Sequence, residues 1–334
     1  MKKIITFGEI MLRLSTQGHQ RFSDARTLEV NFGGAEANVA VSLAQFGKPA
    51  SFVSRLPDNE LGLAALRRLR AEGVDVSQVI YGSERMGVYF LEPGEGQRNS
   101  KIIYDRQASA MSEIRKGMID WDEIFKDASW FHFSGITPAI SLGAAEACKE
   151  AIDAARKNGL TVSCDLNFRA TLWKYGKNPV EVMPEMISEC DVLVADPEAG
   201  EKMLGVSVGN AEAESFLKAI TDRFPNLKTV ATTLRDLSQS EYLIFSGMMI
   251  HNKNIFKGQV HHISRVIDRV GAGDAFTAAI IYGLQTFGQD MQRTLDFALA
   301  AGCLKHSVPG DFNNVSVEEV TSLMNGDRGR KIRR

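Results

Sequence analysis

The run Asp268-Arg269-Val270-Gly271-Ala272-Gly273-Asp274 brings backbone freedom and charge to one place in the chain. Gly271 and Gly273 let the main chain turn tightly and present successive N–H groups. The apolar run Ala275-Phe276-Thr277-Ala278-Ala279-Ile280-Ile281 that follows reads as a helix. A helix start adds a positive dipole end, so the loop suits an anion. Asp274 is then a carboxylate placed where an anion is held, which is unfavourable unless the carboxylate does chemistry. Taking a proton from an attacking hydroxyl is such chemistry. The helix start favours the ionised form, so a weak base is expected. The plainer alternative is a helix cap behind a glycine turn, and the motif by itself leaves both open.

Other groups could share a site with it. Phe32-Gly33-Gly34-Ala35-Glu36-Ala37-Asn38 leads into a second helix. Its glycines admit a ligand close to the main chain, and Asn38 offers a donor and an acceptor suited to sugar hydroxyls. A simple glycine turn is the alternative. Tyr104-Asp105-Arg106 closes one extended segment, and Asp165-Leu166-Asn167-Phe168-Arg169 closes another. Arg106 and Arg169 suit bidentate binding of a carboxylate or phosphate, although either alone also fits a surface ion pair.

Several chemistries are disfavoured. No Gly-x-x-x-x-Gly-Lys-Ser/Thr occurs, so a P-loop is excluded, and Phe276 stands where a dinucleotide fingerprint needs its last glycine. No Ser/His/Asp triad emerges from spacing. Cys148, Cys164, Cys190 and Cys303 are scattered singly, as buried thiols of a reducing compartment are. Cys303 with His306 is half a zinc site at most, and the neighbours His261 and His262 point to opposite faces of a strand.

These groups need a scaffold. The 334 residues are 44% hydrophobic and 24% charged, enough for a large globular core. A net charge of −2 gives no basic surplus for nucleic acid, and the basic run at 328–334 reads as a solvated end. Without a signal peptide or an apolar run of membrane length, a soluble cytoplasmic protein is expected. Short apolar runs at Ile4–Gly8, Ser51–Ser54, Trp130–Phe133, Leu160–Cys164, Val192–Ala195 and Thr229–Thr232 read as strands. Helical patterns at Ala35–Phe46, Leu61–Glu72, Leu142–Lys157 and Asn178–Ser188 separate them, and Val260–Val266 is extended. This alternation predicts an α/β fold, a mostly parallel sheet with helices on both faces and ligands at the strands' carboxyl ends.

Residues 10–32 and 86–107 break the rhythm. The first holds polar extended pieces, the second a hairpin of Gly87–Leu91 and Lys101–Tyr104 around Pro93-Gly94-Glu95-Gly96. Together they predict a small antiparallel sheet standing off the core as a lid or an oligomer face. No linker divides the chain, so residues 1–334 are expected to form one domain.

Taken together, these residues resemble the ribokinase-like (PfkB) carbohydrate kinases over nearly the whole chain. The likeness is carried by Gly33-Gly34 with Asn38 and Gly47, and by Gly271-Ala272-Gly273-Asp274 with Asp268 before it. It implies that Asp274 is the catalytic base, that Gly271, Ala272 and Gly273 form an anion hole, that a small β-sheet is the lid, and that ATP and Mg²⁺ take part. Within the family, the chain is similar to 2-keto-3-deoxygluconate kinases. Ile103-Tyr104-Asp105-Arg106, Trp130 to Ser141 with Gly135-Ile136-Thr137-Pro138, and Cys164 to Arg169 followed by Leu172-Trp173-Lys174 carry that likeness. It implies a small sugar acid held by Gly34, Asn38, Tyr89, Tyr104, Arg106, Arg169 and Asp311, and phosphorylated to a 6-phosphate. Asn167, Arg169, Thr233, Gly271 and Gly273 would meet the nucleotide. An arginine suits the acid's carboxylate, and such a pair is worth about 2–5 kcal/mol when one partner is removed.

The chain departs from the family in three places. Asp196-Pro197-Glu198-Ala199 stands where the family has Asn-x-x-Glu, leaving Asp196 and Glu198 as metal candidates. Magnesium keeps several waters, so one lost carboxylate need not abolish binding. Thr232-Thr233-Leu234-Arg235-Asp236-Leu237-Ser238 replaces a glycine-rich turn near the nucleotide base. Asp268-Arg269-Val270 replaces Asp-Thr-Thr and leaves a monovalent-cation site beside Asp268 open. A kinase of a neutral sugar or nucleoside, and a non-catalytic sugar-acid binding protein, are the alternatives. Lid hairpins that pair between protomers would give a homodimer or a higher homo-oligomer.

Overall fold

The structure is a computed structural model and describes residues 2–209, 213–236 and 243–327. The basic run at 328–334 lies outside these residues, as do Leu237 and Ser238.

The first third of the chain forms β1 (Lys3–Phe7), β2 (Met11–Thr16), β3 (Leu28–Gly33), α1 (Ala35–Gln45), β4 (Ala50–Val53), β5 (Arg55–Leu56), α2 (Glu60–Ala71), β6 (Ile80–Tyr81), β7 (Val88–Glu92) and β8 (Lys101–Asp105). Then come α3 (Trp121–Phe125), β9 (Ala128–Ser134), α4 (Thr137–Ile140), α5 (Leu142–Lys157), β10 (Thr161–Asp165), α6 (Pro179–Ile187), β11 (Val192–Val194) and α7 (Pro197–Leu204). The last part holds α8 (Ala213–Arg223), β12 (Thr229–Asp236), β13 (Leu243–His251), β14 (Asn254–Lys257), β15 (His261–Ile263), α9 (Ala272–Thr286), α10 (Met291–Lys305) and α11 (Val317–Met324).

The main sheet runs in the order β14-β13-β12-β11-β10-β9-β1-β4, with β15 paired to β13. Every pairing from β4 across to β12 is parallel, and β13 to β15 add an antiparallel edge. Burial explains the sequence of β9, where Trp130, Phe131, His132 and Phe133 are all inside, because helices cover both faces of a parallel sheet. One apolar layer is built from Val41, Leu66, Phe276, Ile280 and Leu299 of α1, α2, α9 and α10. The other is built from Phe125, Ala151, Met183, Met203 and Phe216 of α3, α5, α6, α7 and α8. The extended segment expected at 260–266 is a strand only over His261–Ile263.

The chain leaves β1 toward β4 on one side and returns to β9 on the other, so strand order reverses beside β1, where α/β sheets open a crevice. Among the described residues, no helix is long and apolar enough to cross a membrane.

A second sheet has the order β3-β2-β7-β8. Residues 10–32 and 86–107 do join, but the sheet is mixed rather than antiparallel, because β2 and β7 pair in parallel. Each segment is a hairpin, and the two outgoing strands lie side by side in the middle. Register gives this sheet two unlike faces. Asn31, Arg13, Tyr89 and Tyr104 form one cross-strand row, and Val30, Leu14, Phe90 and Ile103 form the neighbouring row on the opposite face.

Candidate active site

Helix starts separate two kinds of element. α2, α5, α7, α10 and α11 are capped by the side chains of Asn59, Ser141, Asp196, Asp290 and Ser316. α1 and α9 begin at Gly34 and Gly271 and have no side-chain cap. Their first N–H groups are left for something else. Gly271 has φ 83°, and a Cβ there would also stand 2.1 Å from the Asp311 carbonyl oxygen, so only glycine fits. A Cβ on Gly273 would meet nothing within 4 Å, so the space in front of this helix start is open. The Ala272 N–H turns back to the Arg269 carbonyl at 3.3 Å. The anion-facing amides are therefore those of Gly273 and Asp274 more than that of Ala272.

Asp274 and Asn38 face each other from the first turns of α9 and α1. Asn38 Nδ2 donates to Asp274 Oδ2 at 2.7 Å, and Asn38 Oδ1 accepts from the Gly34 N–H at 3.3 Å. Burial pushes the Asp274 carboxyl up to about 6, against the Asn38 hydrogen bond and the charge of Arg169. The helix start does not keep it a weak base, since loss of water outweighs the dipole. Asp165, at the end of β10, adds a second buried carboxylate. Its Oδ2 accepts from Thr277 Oγ1, one turn along α9, at 3.1 Å, and its Oδ1 accepts from the Asn167 N–H at 3.1 Å. Burial, with the neighbouring charge of Asp274, pushes Asp165 up to about 7.

Asn167 turns with φ 39°, and the exposed Arg169 beyond it spends Nη1 on the Phe168 carbonyl at 2.9 Å. The charge of Arg169 is felt at both Asp165 and Asp274. Thr233 lies half-buried on β12, opposite Gly247. Asp196 Oδ1 caps α7 through the Ala199 N–H at 2.8 Å, Glu198 is exposed, and Ala199 is fully buried. Among the described residues, no group of three or more His, Cys, Asp or Glu could hold a metal ion.

Across the cleft, Tyr89 OH donates to Asp311 Oδ1, and Asp311 Oδ2 accepts from Arg13 Nη1 at 2.8 Å. Gly33 admits this carboxylate, since a Cβ there would stand 1.9 Å from Asp311 Oδ1. The rings of Tyr89 and Tyr104 lie 5.8 Å apart, and the Arg106 guanidinium lies 6.0 Å from the centre of the Tyr104 ring. Arg106 Nη2 is committed to Glu9, which also accepts from Ser109 Oγ. Arg106 is therefore less free than its sequence position implied. Its Nε is buried and has no partner.

The structure thus gathers Gly34, Asn38, Tyr89, Tyr104, Arg106, Asp274 and Asp311 around the two glycine-led helix starts. It sets Asn167, Arg169, Thr233 and Asp196 along the carboxyl ends of β10 to β12. Asp165, Glu9, Arg13 and Lys305 were not singled out from sequence. Asp165 had the clearest signal, an acidic residue ending a buried strand.

Comparison with known proteins fits this geometry. Residues 1–317 match the family described as pfkB family carbohydrate kinase. The crystal structure of 2-dehydro-3-deoxygluconokinase from Thermotoga maritima is 44% identical, covers 97% of this chain and 98% of its own, and superposes with a TM-score of 0.92. A 2-dehydro-3-deoxygalactonokinase of Haloferax volcanii is 31% identical over 324 residues, 97% of each protein. A fructokinase of Xylella fastidiosa solved with bound ATP is 24% identical, with 97% and 98% coverage and a TM-score of 0.78, which is a likeness of fold.

Proposed function

The chain belongs to the pfkB family of carbohydrate kinases, and we propose that within it the protein transfers the γ-phosphoryl group of ATP to a 2-keto-3-deoxy sugar acid, forming the 6-phosphate. The observation that carries this reading is Asp274, buried, held by Asn38 and raised to about 6, at an uncapped helix start that opens on free space.

Phosphoryl transfer asks a protein mainly for positioning and electrostatic support. The Gly273 and Asp274 N–H groups, with the dipole of α9, stabilise negative charge on the migrating group. Asp274 accepts the proton of the attacking hydroxyl. Its raised pKa makes it a better base than an exposed aspartate while leaving it mostly ionised at neutral pH. Asn38 orients the carboxylate. Magnesium would neutralise phosphate charge when bound, and Asp196 and Glu198 are the side chains that would hold its water shell. Asn167, Arg169 and Thr233 lie on the nucleotide's side.

For the acceptor, the unpartnered Arg106 Nε supports an acid. A buried donor without an acceptor costs about 1–3 kcal/mol, and a substrate carboxylate would satisfy it with a charge-assisted bond stronger than one to a neutral sugar oxygen. Gly34, Tyr89, Tyr104 and Asp311 are placed for its hydroxyls. The small sheet carries Tyr89 and Tyr104 and serves as the lid. The relatives act on acids of the gluco and galacto series, so both epimers are candidate acceptors.

The test is ADP release with ATP and magnesium over ketodeoxy gluconate, ketodeoxy galactonate, aldonates, fructose and ribose. The two ketodeoxy acids should lead. Preferential turnover of a neutral sugar would overturn the acceptor assignment, and no turnover with any acceptor would leave a binding protein. Arg106→Lys keeps the charge but loses the guanidinium fork, so KM for the acid should rise roughly tenfold or more with a smaller change in kcat.

A further inference from the structure

α10 ends in Lys305, a lysine with 0% of its surface exposed. Its stem lies against the turn that starts α9, since a Cβ on Gly271 would stand 3.3 Å from Lys305 Cε. One turn earlier on α10, a Cβ on Gly302 would stand 3.3 Å from the Ala272 carbonyl oxygen. Two glycines thus let α10 press against the back of the loop whose amides face the cleft. The acceptor that Lys305 Nζ finds is the Val308 carbonyl, at 3.0 Å. Burial pulls the amine down, and the charges of Asp268, Asp311 and Asp274 oppose that pull.

Asp268 itself has little left to give. Its Oδ2 accepts from Arg13 Nη2 at 2.6 Å and from the Gly310 N–H at 3.1 Å, and its Oδ1 accepts from the Val270 N–H at 3.0 Å. A dissociable monovalent cation would need oxygens turned toward it. Here the nearby carboxylate is filled by donors, Arg13 is paired with it, and the charges of Lys305 and Asp268 act on each other. With Lys305 in place, the residues around Asp268 do not fit such an ion.

We infer that the Lys305 ammonium is a tethered cation standing in for a dissociable one, so that the Gly271–Asp274 loop holds its shape and its positive field without potassium or sodium. Lys305 is a positioning residue, because it acts through the loop and touches no substrate. The catalytic half of the inference rests on the kinase reading; the structural half does not.

The experiment is a cation series in potassium, ammonium and choline chloride at one ionic strength, read by thermal unfolding without substrate and by ADP release. Wild-type unfolding and turnover should be the same in all three salts. Lys305→Ala should slow turnover roughly 10- to 100-fold, and potassium or ammonium, but not choline, should restore part of the rate and raise the unfolding temperature. Lys305→Met, which fills the space with an apolar chain, should not be rescued. A purely structural lysine would give losses indifferent to the cation, and that result would overturn the inference. So would a wild-type protein that needs potassium, and this outcome can be read even where the variants fail to fold. Should the chain phosphorylate a different acceptor, or none, the unfolding series still decides.

Discussion

Asn38 and Asp274 sit in the first turns of two different helices and are joined by a hydrogen bond of 2.7 Å. That bond favours the ionised carboxylate, while burial opposes it and wins. Asp274 accepts a proton only when ionised, so kcat/KM should fall tenfold per pH unit below about 6 and level off above it. Asn38→Ala removes the opposing hydrogen bond and should move this acid limb to higher pH. The measurement is a pH profile of ADP release for both proteins, and an unmoved limb would argue against Asp274 as the titrating base.

Asp274→Asn should lower kcat roughly 10²–10⁴-fold and yet stabilise the fold at alkaline pH. The folded protein binds the Asp274 proton more tightly than the unfolded chain does, because burial raises the group from 3.8 to about 6. This contribution to stability is full below the unfolded value and is lost as pH climbs through the folded one. Wild-type protein therefore carries the cost of a buried charge at pH 8, on the order of 3 kcal/mol, and Asn does not. Unfolding temperatures should favour the variant at pH 8 and converge near pH 4. Equal differences at both pH values would contradict the burial argument.

Arg13 ties the small sheet to the body of the protein. It reaches from β2 to Asp268 at 2.6 Å and to Asp311 at 2.8 Å, and all three side chains are buried. Burial disfavours the guanidinium, but Asp311, Tyr89 and Asp268 hold it above its ordinary range. Arg13→Met would strand two carboxylates, and breaking a buried pair costs about 3–5 kcal/mol. Urea unfolding should show a loss of that order at pH 8 and a smaller one at pH 5, because burial already pushes Asp311 toward its protonated form. A loss below about 1 kcal/mol, typical of exposed pairs, would mean the network is solvated.

What was legible in the sequence follows from how local each signal is. The limits of α5, Leu142–Lys157, could be read directly, because an amphipathic period and the Ser141 cap are both local. Asp274 and Asn38 stood out because glycines mark their helix starts. Arg13, Asp165 and Lys305 did not, since a buried charge is intelligible only with its partners. Those of Arg13 are Asp268 and Asp311, far along the chain. The parallel pairing of β2 with β7 was hidden for the same reason. Hairpin signals give the antiparallel neighbours of each strand and say nothing of how two hairpins meet.

The outer face of the small sheet should be an interface between two copies of the chain. Val30, Leu14, Phe90 and Ile103 lie in register across all four strands, with Val30 62% and Ile103 55% exposed. Leu28 continues the patch along β3, since residues two apart in a strand share a face. An apolar sheet face of this kind favours a partner, and a twofold axis lets one patch cover itself. Val30 and Ile103 lie on the two edge strands, so each can meet the other copy without disturbing Arg13 or Tyr89 on the opposite face. The double variant Val30→Lys, Ile103→Lys should therefore sediment as a monomer with unchanged circular dichroism, while the wild-type protein sediments as a dimer. A monomeric wild type would reject this interface. A monomeric variant that keeps its affinity for the acceptor would separate assembly from binding, because the residues that face the cleft come from the other row.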